Sequence, residues 1–288
     1  MKRAASSAFA AIAALVAIAA ASGGCRTRPT MRAVPFDSSI EWTFVTPENG
    51  VVDDETTAPS GMNDLCYAFT CVCDDEGLAV VVLTIDDDVS ADSCDKDATS
   101  CPAWDDDAVE VFLDGECARL PDSRADGGVH LRHGGEFALV ANGAANSDYS
   151  GYPNSFCRDE TARRSLGSAT NALWTGEVQR GPDVDALRND ILASPGCPEG
   201  FWPEGGKATS YLFTFSWKAM GQTERPDRIG FNIGVQDDDG GGRRDHTLYW
   251  TGTPHRPYVN ESAFGTLVLD DIDMPITVNE PMNEGEKR

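Results

Sequence analysis

Short apolar runs separated by polar turns dominate the middle of the chain, and they predict β-strands. The segment 78–85 (LAVVVLTI) is rich in β-branched residues and follows an Asp-Asp-Glu-Gly turn signal. The segment 108–114 (AVEVFLD) alternates, with Val109, Val111 and Leu113 on one face. Further strands of the same kind are predicted at 136–142, 211–217, 228–236, 247–250 and 264–269.

Many short strands divided by Gly, Asp, Asn and Pro clusters predict an all-β fold, an antiparallel β-sandwich of jelly-roll-like form. The helical segment of note is 183–192 (DVDALRNDIL), which follows Gly181-Pro182. It lies in a Gly- and Pro-rich insertion at about 157–206, which we expect to decorate one edge of the sandwich.

A single domain spanning residues 36–272 accounts for this pattern, because 288 residues fit one large all-β domain. Hydrophobic residues make up 41% of the chain and charged residues 24%, a globular balance that supplies a core. We interpret residues 26–35 as a short tether and the polar stretch 273–288 as a loose tail.

The N-terminus has the pattern of a secretory signal peptide. Lys2 and Arg3 precede an apolar run at 8–21, and Ser-Gly-Gly-Cys follows at 22–25. A cysteine directly after small residues resembles a bacterial lipobox, although serine stands where that motif usually has leucine. The pattern predicts residues 1–25 as the signal peptide of an exported lipoprotein. Cys25 would anchor it to the membrane at the cell surface or in the periplasm; ordinary cleavage nearby is the alternative.

The cysteine count fits an exported protein. Of nine cysteines, eight remain if Cys25 carries lipid, and an even number in an oxidising compartment predicts up to four disulfides that staple the sandwich. Metal binding through Cys71 and Cys73 is the alternative for that pair. The two pairings that we expect are Cys94–Cys101 across a short loop and Cys157–Cys197 across the insertion.

The charge of the chain narrows the choice of partner. A formal net charge of −24 disfavours nucleic acid, because neutralising phosphates requires clusters of Lys and Arg. It also disfavours anionic membrane surfaces. It is compatible with calcium, with a neutral ligand such as a sugar, or with solubility alone.

Two acidic clusters indicate calcium. Asp237, Asp238 and Asp239 precede three glycines, and 86–88 is a second run of aspartates after a predicted strand. Hard carboxylate oxygens on flexible loops suit Ca²⁺. Neither cluster has the spacing of an EF-hand, and two solvated acidic turns are the alternative.

An ordered set of motifs resembles the family 9 carbohydrate-binding modules, over residues 36–270. That family has a W-x-x-D-x-V-E-x-F-L-D strand, a strand ending in F-x-W, an I-G-F-N strand with an acidic loop, a tryptophan and a closing F-G-x-L-x-L. The insertion and the dense cysteines depart from the family pattern. The matching pieces of this chain are 104–114, 215–217, 229–239, Trp250 and 264–269.

The resemblance implies a sugar site made of aromatic and charged side chains. In that family two tryptophans clamp one sugar unit, and Trp104 and Trp250 occupy the matching positions. Glu110 matches a carboxylate that bonds sugar hydroxyls, and Arg132 lies roughly where the family has a guanidinium. These side chains suit a sugar ligand, because the C–H faces of a pyranose ring pack on aromatic rings and charged groups orient its hydroxyls. The family also carries structural calcium.

The resulting interpretation is non-catalytic binding of a plant-type or similar oligo- or polysaccharide, with hydrolysis supplied by secreted glycoside hydrolases as partners. G-x-S-x-G, H-E-x-x-H and P-loop motifs do not occur in the sequence. The alternatives are a structural surface lipoprotein that has lost sugar binding, a glycoside hydrolase with paired carboxylates and a haem-binding sandwich.

Overall fold

The computed structural model describes most of the predicted domain. The signal peptide, Cys25, Arg132 and the 273–288 tail lie outside the described residues, as do Cys94, Cys101 and Cys157. The described residues are 30–35, 41–89, 91–93, 103–115, 117, 134–143, 145–146, 174–185, 187–220, 222–252 and 264–269.

Within those ranges, fourteen strands pair into two sheets, which confirms the all-β sandwich. The sheets are antiparallel except where the short strands β1 and β2 pair in parallel with β14 and β5. The strands are β1 (Thr30–Arg32), β2 (Val34–Pro35), β3 (Thr43–Val45), β4 (Val51–Val52), β5 (Leu65–Cys73), β6 (Gly77–Asp86), β7 (Ala108–Asp114), β8 (Gly134–Val140), β9 (Ala145–Asn146), β10 (Trp174–Arg180), β11 (Lys207–Ser216), β12 (Arg228–Asp237), β13 (His246–Tyr249) and β14 (Gly265–Val268).

The first sheet has the order β1-β14-β12-β7-β8-β9, and β13 pairs with both β12 and β4. The second sheet has the order β10-β11-β6-β5-β2, with β3 also paired to β5. Among the described residues, helix is limited to α1 (Pro182–Asp185), α2 (Arg188–Leu192) and two 3₁₀ turns, Ala103–Asp105 and Trp217–Met220. No helix in the described part of the chain is long and apolar enough to cross a membrane.

The main core lies between the two sheets. Alternate residues of β12, such as Ile229, Phe231 and Ile233, turn toward the second sheet and are fully buried. Phe231 meets Phe69 of β5 with ring centroids 5.9 Å apart. Each such side chain contributes roughly 1.5–3 kcal/mol by leaving water, so this interior fixes the register of both sheets. Trp217, which follows β11, is also buried in this core.

A second core covers the outer face of the second sheet. There Cys66 and Leu83 pack against a layer formed by residues 184–202. In that layer Phe201 meets Phe44 edge to face at 4.9 Å. The apolar residues that this layer contributes are Val184, Leu187, Ile191, Phe201 and Trp202.

The predicted insertion is therefore part of the sandwich where it is described. Its strand β10 extends the second sheet by pairing with β11 along its whole length. The single helix predicted at 183–192 is two short helices, α1 and α2, but its buried positions Val184, Leu187 and Ile191 keep the spacing of one helical face.

Cys197 forms no disulfide, so the expected Cys157–Cys197 pairing is not supported, whereas both members of the expected Cys94–Cys101 pairing lie outside the described residues. The strand β5 sends Cys66 into the outer core and Cys71 into the core between the sheets, so these thiols pack as small apolar groups. The alternative metal role of Cys71 and Cys73 gains no support, because the potential ligand groups among the described residues contain no cysteine. The described cysteines, none of them in a disulfide, are Cys66, Cys71, Cys73, Cys117 and Cys197.

Candidate functional site

A buried polar network lies on the face of the first sheet that points away from the second. Antiparallel register places Glu110 of β7 opposite Gly234 of β12, and Gln236 of β12 opposite Thr247 of β13. The Gln236 amide Nε2 donates to Glu110 Oε2 at 2.7 Å, and Thr247 Oγ1 donates to Gln236 Oε1 at 2.6 Å. The period of two along each strand puts all three side chains on this outer face.

Charged groups surround Glu110. Burial raises the pKa of Glu110, and the positive charge of Arg244 together with hydrogen bonds to Glu136 and Gln236 opposes that rise. Arg244 Nη2 also lies 3.7 Å from Asp53 Oδ2. The outer face thus holds a guanidinium, three carboxyl groups and an amide, which together can donate to and accept from several hydroxyl groups.

Tyr249 adds an aromatic ring to this face. It is paired with Gly234, and a Cβ added to that glycine would lie 2.5 Å from Tyr249 Cε1. The glycine thus lets the ring lie flat against the sheet. The ring also meets Phe112 of β7 with centroids 6.1 Å apart. Tyr249, Gln236, Arg244 and Asp53 were not predicted from the sequence.

Trp104 lies at the edge of the same face. Its 3₁₀ turn packs through Ala103 against Ala108, Ala138 and Val140, and Ala138 is the strand partner of Glu110. The Trp104 side chain is 37% exposed, and it is one of two large apolar side chains exposed in the described part of the chain. An exposed indole beside a polar face is the arrangement that a sugar ring requires.

Trp250 lies on the other side of the sheet from Glu110. Its ring is partly buried at the margin of the main core and meets Phe69 at 5.4 Å and Phe231 at 5.8 Å, both edge to face. The structure thus brings Trp104 and Glu110 to one face but not Trp250. The aromatic clamp remains a prediction, as does the role of Arg132, which is outside the described residues.

One end of the sandwich carries a dense cluster of carboxylates. The strands β6 and β12 end in Asp86 and Asp237, and Asp107 immediately precedes β7. Each of these three offers an oxygen, all within 4.8 Å of one another. Because the strands come from both sheets, the cluster joins the two layers. Adjoining groups extend it on either side, formed by Asp64, Asp237, Asp239 and His246 and by Asp86, Asp87 and Asp239.

The electrostatics of this sandwich-end cluster favour a divalent cation. Asp237 is 1% exposed, and no donor among the described residues reaches either of its carboxylate oxygens. Burial and then the charges of Asp86 and Asp107 raise its pKa strongly, and burial raises the pKa of Asp86 to about 7. Several buried acceptor oxygens without donors are costly, and a hard cation such as Ca²⁺ would relieve that cost.

The three aspartates of the predicted calcium site divide between two places. Asp237 and Asp239 face the sandwich-end cluster, whereas Asp238 groups with Asp92 and Asp106. The backbone N–H of Asp238 donates to Asp107 Oδ1 at 2.8 Å. Successive residues at the end of an extended strand point in opposite directions, which explains the division.

Comparisons with known proteins agree with the motifs in the sequence. Residues 207–272 match the family model described as carbohydrate family 9 binding domain-like, which confirms the predicted resemblance. This region contains Gln236, Thr247, Tyr249 and the acidic run 237–239. A search of curated proteins gave no match.

Two solved structures with a similar fold are a family 9 carbohydrate-binding module from Caldicellulosiruptor kristjanssonii, in complex with cellotriose and with glucose. The cellotriose complex is 15% identical with a TM-score of 0.50, and the glucose complex is 14% identical with a TM-score of 0.52. Each alignment covers 88% of this chain and 100% of the module. At this identity the likeness establishes the fold.

Proposed function

We propose that this chain is a non-catalytic carbohydrate-binding protein of the family 9 type, with its sugar site on the outer face of the first sheet. The observation that carries the proposal is the Glu110–Gln236–Thr247 network beside the exposed Trp104. The solved modules with this fold bind cellotriose and glucose, and the family match covers two members of the network.

The physical basis is the match between this face and a sugar. The indole of Trp104 offers an apolar surface to pyranose C–H groups. The carboxylate of Glu110 accepts hydrogen bonds from hydroxyls, and Arg244 donates them, both as charge-assisted bonds. Arg132 enters the proposal as a further sugar contact that the family resemblance implies, whereas Trp250, on the other side of the sheet, is left out of it.

The arrangement of carboxyl groups favours binding over hydrolysis. Glycosidases hold two carboxyl groups roughly 5–10 Å apart across the scissile bond. Glu136 instead hydrogen-bonds directly to Glu110, so this pair does not hold such a gap. Any cleavage of the polysaccharide is therefore assigned to partner enzymes.

Calcium and a lipid anchor complete the proposal. Ca²⁺ in the sandwich-end cluster would join the ends of β6 and β12 and neutralise their carboxylates. Acylation of Cys25 would hold the module at the membrane, facing the cell surface or the periplasm. Metabolic labelling with a radioactive fatty acid tests the anchor: we expect labelled protein that becomes unlabelled in Cys25→Ala. Label that persists in this variant would overturn the assignment.

The decisive experiment is isothermal titration of residues 26–288, with calcium present, against cello- and xylo-oligosaccharides. We expect a heat of binding that disappears in Trp104→Ala. The matched control is Leu192→Ala, which removes the other exposed large apolar side chain, from α2 on the opposite sheet. A folded protein that gives no heat with any sugar would favour the structural-lipoprotein alternative. Product formation during the titration would favour a hydrolase.

A further inference from the structure

We propose that the glycan bound at the outer face of the first sheet is built of amino sugars, and that an ammonium group of the glycan takes the place of the proton that Glu110 and Glu136 share. This inference rests on the proposed function, because it names the class of glycan for the same site. It changes the expected ligand from a neutral polysaccharide to a polycationic one, such as a chain of glucosamine.

Strand pairing brings the two carboxyl groups together. Glu110 of β7 lies opposite Ala138 of β8, and Phe112 of β7 lies opposite Glu136 of β8. Because alternate residues of a strand share a face, Glu110 and Glu136 both lie on the outer face, diagonally across the strand pair. Glu136 hydrogen-bonds directly to Glu110. A hydrogen bond between two carboxyl groups requires a proton on one of them.

The two strands that carry this pair supply no cation. Their sequences, AVEVFLD in β7 and GGEFALV in β8, contain neither lysine nor arginine. The guanidinium of Arg244 acts on Glu110, but its Nη2 lies 3.7 Å from Asp53 Oδ2, so its charge is divided between two carboxyl groups. Arg132, the further contact that the family resemblance implies, would still leave three carboxyl groups against two guanidinium groups.

Burial makes this excess of carboxyl groups costly. Glu110 is 3% exposed and Glu136 is half-buried. Two carboxylates that share a buried site do not both ionise unless a cation lies between them. Burial accordingly raises the pKa of Glu110. The shared proton is therefore the smallest cation that satisfies this pair, and a ligand that brings its own positive charge can replace it.

An ammonium group satisfies the pair better than a proton does. It has three N–H donors, so it can donate to both carboxylates at once, and each of these bonds is charge-assisted. A further acceptor lies nearby, because the charge of Asp53 also acts on Glu110. The Oδ2 atom of Asp53 is buried and accepts no hydrogen bond from the described residues.

The charge at this site separates amino sugars from other sugars that have the same ring. The indole of Trp104 offers the same apolar surface to any pyranose, so it does not distinguish them. A hydroxyl or an N-acetyl group at the position of the amino group is neutral and leaves the carboxyl pair uncompensated. The carboxylate of a uronic acid would be repelled. The net charge of −24 also attracts a polycation from a distance.

The test compares three tetrasaccharides by isothermal titration at pH 5, where the amino groups of glucosamine are ionised. They are the tetramers of glucosamine, of N-acetylglucosamine and of glucose (cellotetraose). We expect the Kd of the glucosamine tetramer to be at least about tenfold lower than that of the other two. Titration in two buffers of different ionisation enthalpy should show proton release with the glucosamine tetramer and none with cellotetraose.

The variant Glu136→Gln tests the carboxyl pair itself. Its amide can donate to Glu110 as the protonated carboxyl does, so the local structure is kept while the second negative charge is lost. We expect the preference for the glucosamine tetramer over cellotetraose to fall to about onefold, and proton release to disappear. The matched control is Glu177→Gln, which removes one charge from an exposed position of β10 in the second sheet and should keep the full preference.

Equal affinity for the glucosamine tetramer and cellotetraose would overturn the inference while leaving the proposed function intact. An N-acetylglucosamine tetramer that binds as tightly as the glucosamine tetramer would also overturn it, because the site would then recognise shape and not charge. A preference that is lost equally in Glu136→Gln and Glu177→Gln would assign it to the net charge of the molecule. If no sugar binds at all, the proposed function fails and the inference fails with it.

Discussion

Gln236 holds the centre of the candidate sugar face, because it bonds Glu110 on one side and Thr247 on the other. We predict that Gln236→Leu lowers the free energy of unfolding by about 1–3 kcal/mol, since it leaves two buried polar groups without their partner. Urea denaturation measures this loss, and sugar affinity should fall with it. The control Thr214→Val changes an exposed residue of β11 and should stay within about 0.5 kcal/mol. Equal stability of both variants would contradict the network's role.

The two candidate sugar-binding tryptophans should respond differently to removal. Trp250 packs against Phe69 and Phe231, so we predict that Trp250→Ala costs up to about 3 kcal/mol of unfolding free energy. Trp104 is exposed, so Trp104→Ala should change the unfolding free energy by less than about 0.5 kcal/mol while removing sugar binding. Denaturant midpoints separate the two cases. A destabilisation by Trp104→Ala equal to that by Trp250→Ala would indicate that Trp104 is a packing residue.

The sequence could predict the types of the site residues but only part of their grouping. Glu110 and Trp104 lie in one continuous motif, and the structure places them on one face. Gln236 joins them through strand pairing between distant segments and Arg244 through the loop between β12 and β13, which no local pattern encodes. The acidic run 237–239 suggested a single metal site, whereas strand alternation divides its side chains between two clusters.

Strands with one apolar face were predicted well. The segment 108–114 is β7 with the predicted bounds, because its alternation reflects a sheet with a distinct inner face. The strand β5 was not predicted, since all nine residues are buried and the run LCYAFTCVC lacks alternation. The strand β10 was not predicted because it lies in the Gly- and Pro-rich insertion and has few apolar residues.

The layer at 184–202 serves the stability of the second sheet and lies far from the candidate site. We predict that Phe201→Ala lowers the free energy of unfolding by about 3–5 kcal/mol, because the ring is fully buried against Phe44. Sugar affinity should not change under conditions where the protein is folded. Leu192→Ala, in the same layer but exposed, is the control and should leave stability nearly unchanged. Thermal unfolding of the two variants measures the stability change, and sugar titration measures the affinity. A weakened sugar affinity in folded Phe201→Ala would show that the outer face of the second sheet is coupled to the candidate sugar face.

Part of the acidity of the molecule is buried where the two sheets meet. The net charge of the chain is −24, and Asp86, Asp107 and Asp237 are buried together at one end of the sandwich. Without a cation these carboxylates repel each other, and the two sheets lose a connection at the ends of β6 and β12. The metal content of the protein should therefore determine how stability depends on pH.

We predict that the metal-free protein becomes less stable as the pH rises from 5 to 8. Burial raises the pKa of Asp86 to about 7 and raises that of Asp237 further, both above their values in the unfolded chain. The folded state then binds more protons than the unfolded state, so unfolding free energy falls as the pH rises through 7. Calcium should reverse this trend, because it binds the ionised carboxylates and competes with protons.

Thermal unfolding in chelator and in calcium, at pH 5 and pH 8, measures this reversal. At 100 times its Kd, calcium should add about 2.7 kcal/mol at pH 8 and much less at pH 5. Asp86→Asn removes one of the repelling charges, so it should stabilise the metal-free protein at pH 8 while weakening the response to calcium. Asp74→Asn, an exposed aspartate outside the cluster, is the control and should respond like the unsubstituted chain. If the protein in chelator is instead more stable at pH 8 than at pH 5, these carboxylates are not held together in the folded state. That result would overturn the calcium assignment.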